Sequence, residues 1–476
     1  MADPRNLDPK KPGIPVQPLK SSRPDDLKPG MKRDDPKPAP GKPVDKDKPK
    51  PVARPASERL VSLDAFRGII MLFMASAGFG FKQVYDSFKE AEPDTWWRLL
   101  ASQVDHVPWR SLTNIPAELP LYGFSLWDMI QPAFMFMVGV AAPFSYARRR
   151  ARGDSYIYAL WHALVRSVAL VLLGVFLSSM GNKQTNWAFM NVLSQIGLGY
   201  MFVFLMVNRP RWLQVGVIIS LLGLSWWAFY QYPLPEQALW PELGVTAEVE
   251  ATGGILTGVQ EKWSEHINFA ADVDRQFLNR FPRETPFVFN KGGYQTLNFV
   301  PALATMLLGL LIGQLMHGPR EPGRRLRLML VWGLVLIVLG VAAHFTICPI
   351  VKRIWTPSWT LYSGGIVIWM LAAFYAVIDV LGWRWWSFPL VVVGMNSIVM
   401  YMMSQMLKPW TTSTLKTHFS LPYQHVAEWA NARWNWTLPE VLFTGTYGPI
   451  MDRCSVLFVF WLVCFWLYRQ RIFVRI

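Results

Sequence analysis

The chain has 476 residues, of which 52% are hydrophobic and only 17% charged, and its formal net charge is +15. The apolar residues gather in blocks of about twenty, the length that crosses the hydrocarbon of a bilayer, which excludes a soluble globular enzyme. The basic excess suits a face lying on anionic lipid and needs no nucleic acid as a partner.

Residues 1–57 stand apart. They are crowded with proline, lysine and aspartate, as in DPKPAPGKPVDKDKPKP at 35–51. Such a stretch has too few apolar side chains to offset its ordering entropy, so it is expected to be a disordered cytoplasmic tail ahead of a membrane domain at 58–476. It lacks the short apolar core of a cleaved signal peptide, and the first helix is expected to serve as the membrane signal.

About ten apolar blocks follow, near 64–81, 124–146, 160–180, 187–207, 212–230, 297–316, 328–347, 359–381, 388–407 and 454–468. Backbone amides in lipid must be bonded within the segment, and the blocks lack the alternation of barrel strands. The predicted fold is therefore an all-α polytopic bundle of about ten transmembrane helices. Pro132, Pro301 and Pro389 fall close to predicted helix starts, where proline costs least.

With the amino terminus inside, the inner connections receive ARRRAR at 147–152, Arg209 and Arg211, REPGRRLR at 320–327, Arg384 and the tail RQRIFVRI. The short outer connections hold only Lys183, Lys352 and Arg353. This asymmetry predicts both termini on the cytoplasmic side. Three long outer connections, 82–123, 231–296 and 408–453, are rich in tryptophan and proline and are expected to carry short interfacial helices, with 261–281 a candidate. Cys348 and Cys454 fall near outer helix ends, so a bridge is conceivable, but three unpatterned cysteines read first as small apolar residues. No cluster has metal-ligand spacing.

The polar residues inside the apolar blocks carry the chemistry. SLDAFRGI opens the first helix with Asp64 and Arg67 three apart on one face: a structural pair on one reading, a polar cavity mouth on the other. Asp128 starts the second helix, Asn191 and Gln195 lie in the fourth, Asn298 opens the sixth, and Asn396 with Ser397 enters the ninth. Each can serve helix adhesion alone; together they suggest an internal polar passage. His106, in DHVPWRS of the first outer loop, sits beside Asp105, which could orient its imidazole, and Trp109, which would anchor the loop. An imidazole there can act as general base or nucleophile, or be a plain surface histidine. His344 and His162 read as packing residues.

RLVSLDAFRGI at 59–69 resembles the opening signature of the heparan-alpha-glucosaminide N-acetyltransferase family of transmembrane acyltransferases and their bacterial relatives. HVPW at 106–109 is similar to that family's His-x-x-Trp, and GFSLWDMIQPAFMFMVG at 123–139 to its Asp-x-x-x-Pro helix. GGYQTLNFVPALATMLLGLLIG at 292–313, IWTPSWTLYSGG at 354–365 and GMNSIVMY at 394–401 resemble further elements in the family's order, so the resemblance spans about 59–407.

The resemblance implies transfer of an acyl group, most often acetyl, from cytoplasmic acetyl-CoA to an amine or hydroxyl of an extracytoplasmic glycan or related acceptor. It implies His106 as the catalytic residue, acting as acyl carrier or as base, with a homodimer as a candidate assembly. Arg67 and the inner basic clusters would attract the donor's phosphates, with Asp64 holding Arg67 in place. Departures from the family pattern fall at Gly78, where an asparagine is frequent, at Ser194 and Gln195 in VLSQ, and in a longer loop between Trp109 and Asp128. Two other classes compete. A lipid-linked glycan transporter would show inverted repeats or broken helices, neither of which is evident in the sequence. A membrane scaffold would use the proline-rich tail and would not require His106.

Overall fold

A computed structural model describes residues 60–90, 96–109, 125–434 and 443–474; the expected disordered tail at 1–57 lies outside them. The described residues are helical, with no strand among them. The chain runs through α1 (Val61–Ser76), α2 (Phe81–Phe88), α3 (Trp96–Gln103), α4 (Leu126–Ala151), α5 (Tyr156–Ser179), α6 (Val192–Met206), α7 (Arg211–Gln231), α8 (Ala247–Ala251) and α9 (Phe269–Leu278). It continues through α10 (Phe299–His317), α11 (Pro322–Thr346), α12 (Pro357–Phe374), α13 (Phe388–Met395), α14 (Ser397–Met406), α15 (Lys408–Trp434) and α16 (Gly448–Arg469).

Among the described residues, seven helices are long and apolar enough to cross a bilayer, and two bent pairs, α1 with the segment through α2 and α13 with α14, bring the number to nine. α6 is apolar but has only 15 residues. The protein is thus an integral multi-pass membrane protein, and the number of spans agrees closely with the sequence reading.

Four expectations about shape need correction. The fourth block is not helical from its start, because Asn191 caps α6, its Oδ1 accepting from the Ser194 amide at 2.9 Å, and the residues before it are extended. The ninth block is two half-helices at 69°, since Asn396 leaves helical geometry (φ −122, ψ 39). Its amide donates to the Ile472 carbonyl at 3.2 Å and its Oδ1 accepts from Val474 N at 3.1 Å. The third long connection holds one helix of 27 residues, α15, rather than short pieces. The candidate at 261–281 is helical only from Phe269 to Leu278, after a 3-10 turn at Gly258–Trp263.

The core is centred on α4 and α10, whose backbones meet without side chains between them. A Cβ on Gly139 would lie 1.8 Å from the Met306 carbonyl oxygen, and one on Gly309 2.0 Å from that of Phe136. Buried Phe66, Met71, Met129, Phe136 and Leu307 fill the surrounding interior. α5, α7 and α11 lie at the periphery with much of their apolar surface exposed, as expected of helices that face lipid.

The start of α10 is fixed by a carboxylate from α9: Asp274 Oδ2 accepts from the Thr296 amide at 2.9 Å, while Oδ1 has no partner among the described residues. Burial, only partly opposed by the Thr296 hydrogen bonds, raises the Asp274 pKa from 3.8 to about 6. The folded chain therefore keeps a proton that the unfolded chain releases in this interval. The stabilisation is fully present below pH 3.8 and is lost as pH rises through about 6. Asp274→Asn is expected to remove this contribution, so that the thermal midpoint of the wild type relative to D274N falls between about pH 4 and pH 7, by the equivalent of about 3 kcal/mol.

Candidate active site

Three connections meet at the end of the bundle where α4 begins: the segment after α3, the loop before α10 and the loop between α11 and α12. Each is shaped by local chemistry. Ser125 caps α4 by accepting from the Asp128 amide at 3.1 Å, which sets the Asp128 side chain inward with no solvent exposure. In GGYQT, Asn290 Oδ1 accepts from Gly292 N at 2.9 Å, and Gly293 turns the chain at φ +71. A Cβ at Gly293 would lie 2.5 Å from the Trp109 ring, so this close approach requires glycine. In VKRIWTP, Trp355 takes φ 51 and donates to Thr305 Oγ1 at 3.2 Å, while Thr356 caps α12 and Pro357 occupies its first turn.

These turns deliver four side chains to one point. His106 Nδ1 lies 2.7 Å from Asp128 Oδ1, and Lys352 Nζ donates to the same oxygen at 2.8 Å. The Val107 amide donates to Asp128 Oδ2 at 3.1 Å, and Lys352 Nζ also reaches the Tyr294 hydroxyl at 3.3 Å. Burial would lower the Lys352 pKa, but the Asp128 carboxylate and the Tyr294 hydroxyl overcome it, so the value is raised and the amine stays protonated. A carboxylate paired with an ammonium can only accept, so His106 Nδ1 donates to Asp128, and Lys352 Nζ lies 3.3 Å from the same nitrogen. The imidazole side chain is 36% exposed and, with Pro108, Trp109, Lys352 and Arg353, lines a small open cleft.

The sequence candidates divide between this end and the other. Asp105 does not orient the ring: its Oδ1 accepts from the His106 backbone amide at 2.9 Å, and its other oxygen pairs with Lys82. Asp128 takes the expected orienting role. Gln195 donates to the carbonyls of Phe189 and Thr296, each at 3.0 Å, and Asn298 to that of Arg353 at 2.7 Å. Asn191 donates to the Gly174 carbonyl at 3.1 Å. These residues fasten the site's loops and the helices behind them, while Gln195 Oε1 and Asn298 Oδ1 are buried without a hydrogen-bond partner among the described residues. At the opposite end, Arg67 stands 3.7 Å from Asp64 and 3.5 Å from the Gly394 carbonyl, near the break that carries Asn396 and the half-buried Ser397. The polar candidates thus fall at two ends of the bundle, with the α4–α10 contact between them.

Lys352 and Tyr294 were not singled out from the sequence. The signal was the pair Lys352 and Arg353 in the otherwise apolar run CPIVKRIW, and a tyrosine beside the two glycines of GGYQT. Beyond them lies a second buried group. Glu265, 4% exposed, is 3.4 Å from Arg353; burial raises its pKa and Arg353 only partly offsets this. Burial, with Arg275 and Arg353 adding, lowers His266 to about 4, so its 3.9 Å approach to Glu265 is not an ion pair at neutral pH. Cys348, Cys454 and Cys464 are all free, so the conceivable bridge is not formed. Among the described residues no group of histidine, cysteine and carboxylate side chains could hold a metal.

A heparan-alpha-glucosaminide N-acetyltransferase from Mus musculus is 24% identical to this chain over 421 residues, 80% of the chain and 59% of the mouse protein. The protein of the same name from Homo sapiens is 23% identical over 375 residues, covering 72% and 52%. The chain is a distant relative of these proteins. It spans between half and three fifths of their length. No family model matches it.

If the shared Asp128 oxygen holds the site together, removing one charge should cost more than removing both. Lys352→Met is expected to destabilise by about 3–5 kcal/mol, since it leaves a carboxylate buried without its cation, and the double variant with Asp128→Asn should recover much of the loss. Thermal unfolding of the two single variants and the double variant checks this; additive losses would mean that the pair is not coupled.

Proposed function

We propose that this protein transfers an acyl group, acetyl in the simplest case, from acetyl-CoA on the cytoplasmic side to an amine or hydroxyl of an extracytoplasmic glycan or related acceptor. The observation that carries the reading is the His106–Asp128–Lys352 cluster: a half-exposed imidazole whose Nδ1 proton is held by a buried carboxylate, with Nε2 free at a cleft. The names of the relatives, which describe N-acetyl transfer to a glucosaminide, support the reaction class.

In this scheme Nε2 takes the acceptor's proton as the acceptor oxygen or nitrogen attacks the thioester carbonyl, the C–S bond breaks and the thiolate leaves. The same lone pair could carry the acyl group in a two-step route, attacking the carbonyl first and passing the acyl to the acceptor afterwards. Either way Asp128 stabilises the imidazolium, and the cationic Lys352 lies close enough to favour negative charge developing on the carbonyl oxygen. Both termini would be cytoplasmic, His106 extracytoplasmic, the location the cell's inner membrane and the assembly a homodimer. Arg67, held by Asp64 and the Gly394 carbonyl, would meet the donor's phosphates at the inner end, with Asn396 and Ser397 beside it. The broken α13–α14 segment favours a second reading, a transporter for a lipid-linked glycan.

Label transfer decides between them. With the purified protein in vesicles, radioactive acetyl-CoA outside and amino-sugar acceptors enclosed, the wild type should move label to the acceptor, and His106→Ala should cut the rate by about 10²-fold or more at an unchanged thermal midpoint. Normal turnover in H106A, or no transfer by any preparation, rejects the assignment. In the same assay Arg67→Ala should raise KM for acetyl-CoA; an unchanged value would leave Arg67 a purely structural partner of Asp64.

A further inference from the structure

At the end of the bundle remote from His106, α4, α5 and α6 line a shallow cleft open to the surface. Its lining includes Ser145, Tyr146, Arg149, His162 and Tyr200. Arg166 stands on α5 beside Tyr200, about 16 Å along the helix from the Ser155 cap, well inside an apolar segment. Its guanidinium lies over the Tyr200 ring at 4.5 Å and donates from Nη1 to the Tyr200 hydroxyl at 3.2 Å. Its Nε is buried without a hydrogen-bond partner, and no carboxylate pairs with it among the described residues. Arg149 has a partner, Asp154 at 3.6 Å. Arg149 thus lines the cleft, and Arg166 flanks it across the Tyr200 ring, so two guanidinium groups stand in this region against one carboxylate.

A guanidinium inside an apolar helix needs an anion or a route to water, and the Tyr200 ring and hydroxyl supply only part of that. The surface beside the cleft indicates where an anion would come from. Trp161, Leu164, Val165 and Val168 are exposed on α5, and Tyr156 and Tyr158 are exposed in its first turn, a band of aromatic residues of the kind found at headgroup level. The ligand that fits both features is an amphiphile with a phosphate head and apolar chains.

We propose that this cleft seats the headgroup phosphate of an anionic phospholipid, with Arg166 and Arg149 on the phosphate oxygens and the acyl chains along the exposed apolar side of α5. The site is separate from the His106 cluster and does not depend on the acyl-transfer reading.

Native mass spectrometry of the purified full chain, titrated in detergent with dioleoyl phosphatidylglycerol or dioleoyl phosphatidylcholine, tests it. The wild type should retain phosphatidylglycerol preferentially, and Arg166→Gln and Arg149→Gln should each weaken that binding by about fivefold. Arg211→Gln, at an exposed position of the same end outside the cleft, should leave it unchanged. Should R166Q fail to fold, R149Q answers alone. Equal retention of the two lipids, wild-type affinity in both cleft variants, or displacement of the lipid by inorganic phosphate or coenzyme A would overturn the proposal; the last of these would identify the site as one for soluble phosphate compounds.

Discussion

The Asp128 carboxylate, with no exposure to solvent, accepts from His106, from Lys352 and from the Val107 amide, and so joins segments separated by more than two hundred positions. A buried ion pair of this kind adds little net stability over an apolar replacement, because desolvation consumes most of the Coulombic gain. What it does supply is specificity: the loops have one arrangement in which both charges are matched, and that arrangement leaves the imidazole with a fixed tautomer. The surrounding turns are consistent with this demand, since the Ser125 cap, the Gly293 turn and the left-handed Trp355 all serve to bring one of the partners within reach.

Much of this was legible in the sequence, for reasons that differ by residue. Helix length and helix type follow from lipid itself, which tolerates no unbonded backbone, so the spans could be read from apolar block length. His106 and Asp128 could be found because each is a polar group in a motif with few others. The orienting partner was harder. Asp105 is adjacent in the chain, but adjacent side chains seldom face the same way, and here Lys82 takes it. Asp128, 22 positions on, faces the ring because α4 starts there. Lys352 was hidden by its residue type: a lysine in a short connection reads as a solvated charge until the fold buries it.

The intramembrane amides show how far polarity in a helix can mislead. Asn191, Gln195, Asn298 and Asn396 all donate to backbone carbonyls, that of Gly174 inside α5 and those of Thr296, Arg353 and Ile472 at turns outside the α-helices. An unbonded carbonyl is costly in lipid, and an amide side chain can satisfy two of them at once. A run of these residues therefore marks places where helices start and stop as readily as it marks a channel. The break at Asn396 has a local signal in Gly394 and Ser397 around it, since glycine, asparagine and serine are all weak helix formers.

The glycine contact between α4 and α10 has a consequence for motion. Backbone carbonyls seated where side chains would otherwise stand cannot slide past one another without first separating, so the two helices behave as one body on the timescale of domain movements. Asp128 at the head of α4 and Tyr294 just ahead of α10 would then keep their spacing through any working cycle. The same kind of contact joins α1 to the broken ninth segment, where a Cβ on Gly68 would lie 1.9 Å from the Leu390 carbonyl oxygen and one on Gly394 1.9 Å from that of Asp64, so the break at Asn396 is held against its neighbour in the same way.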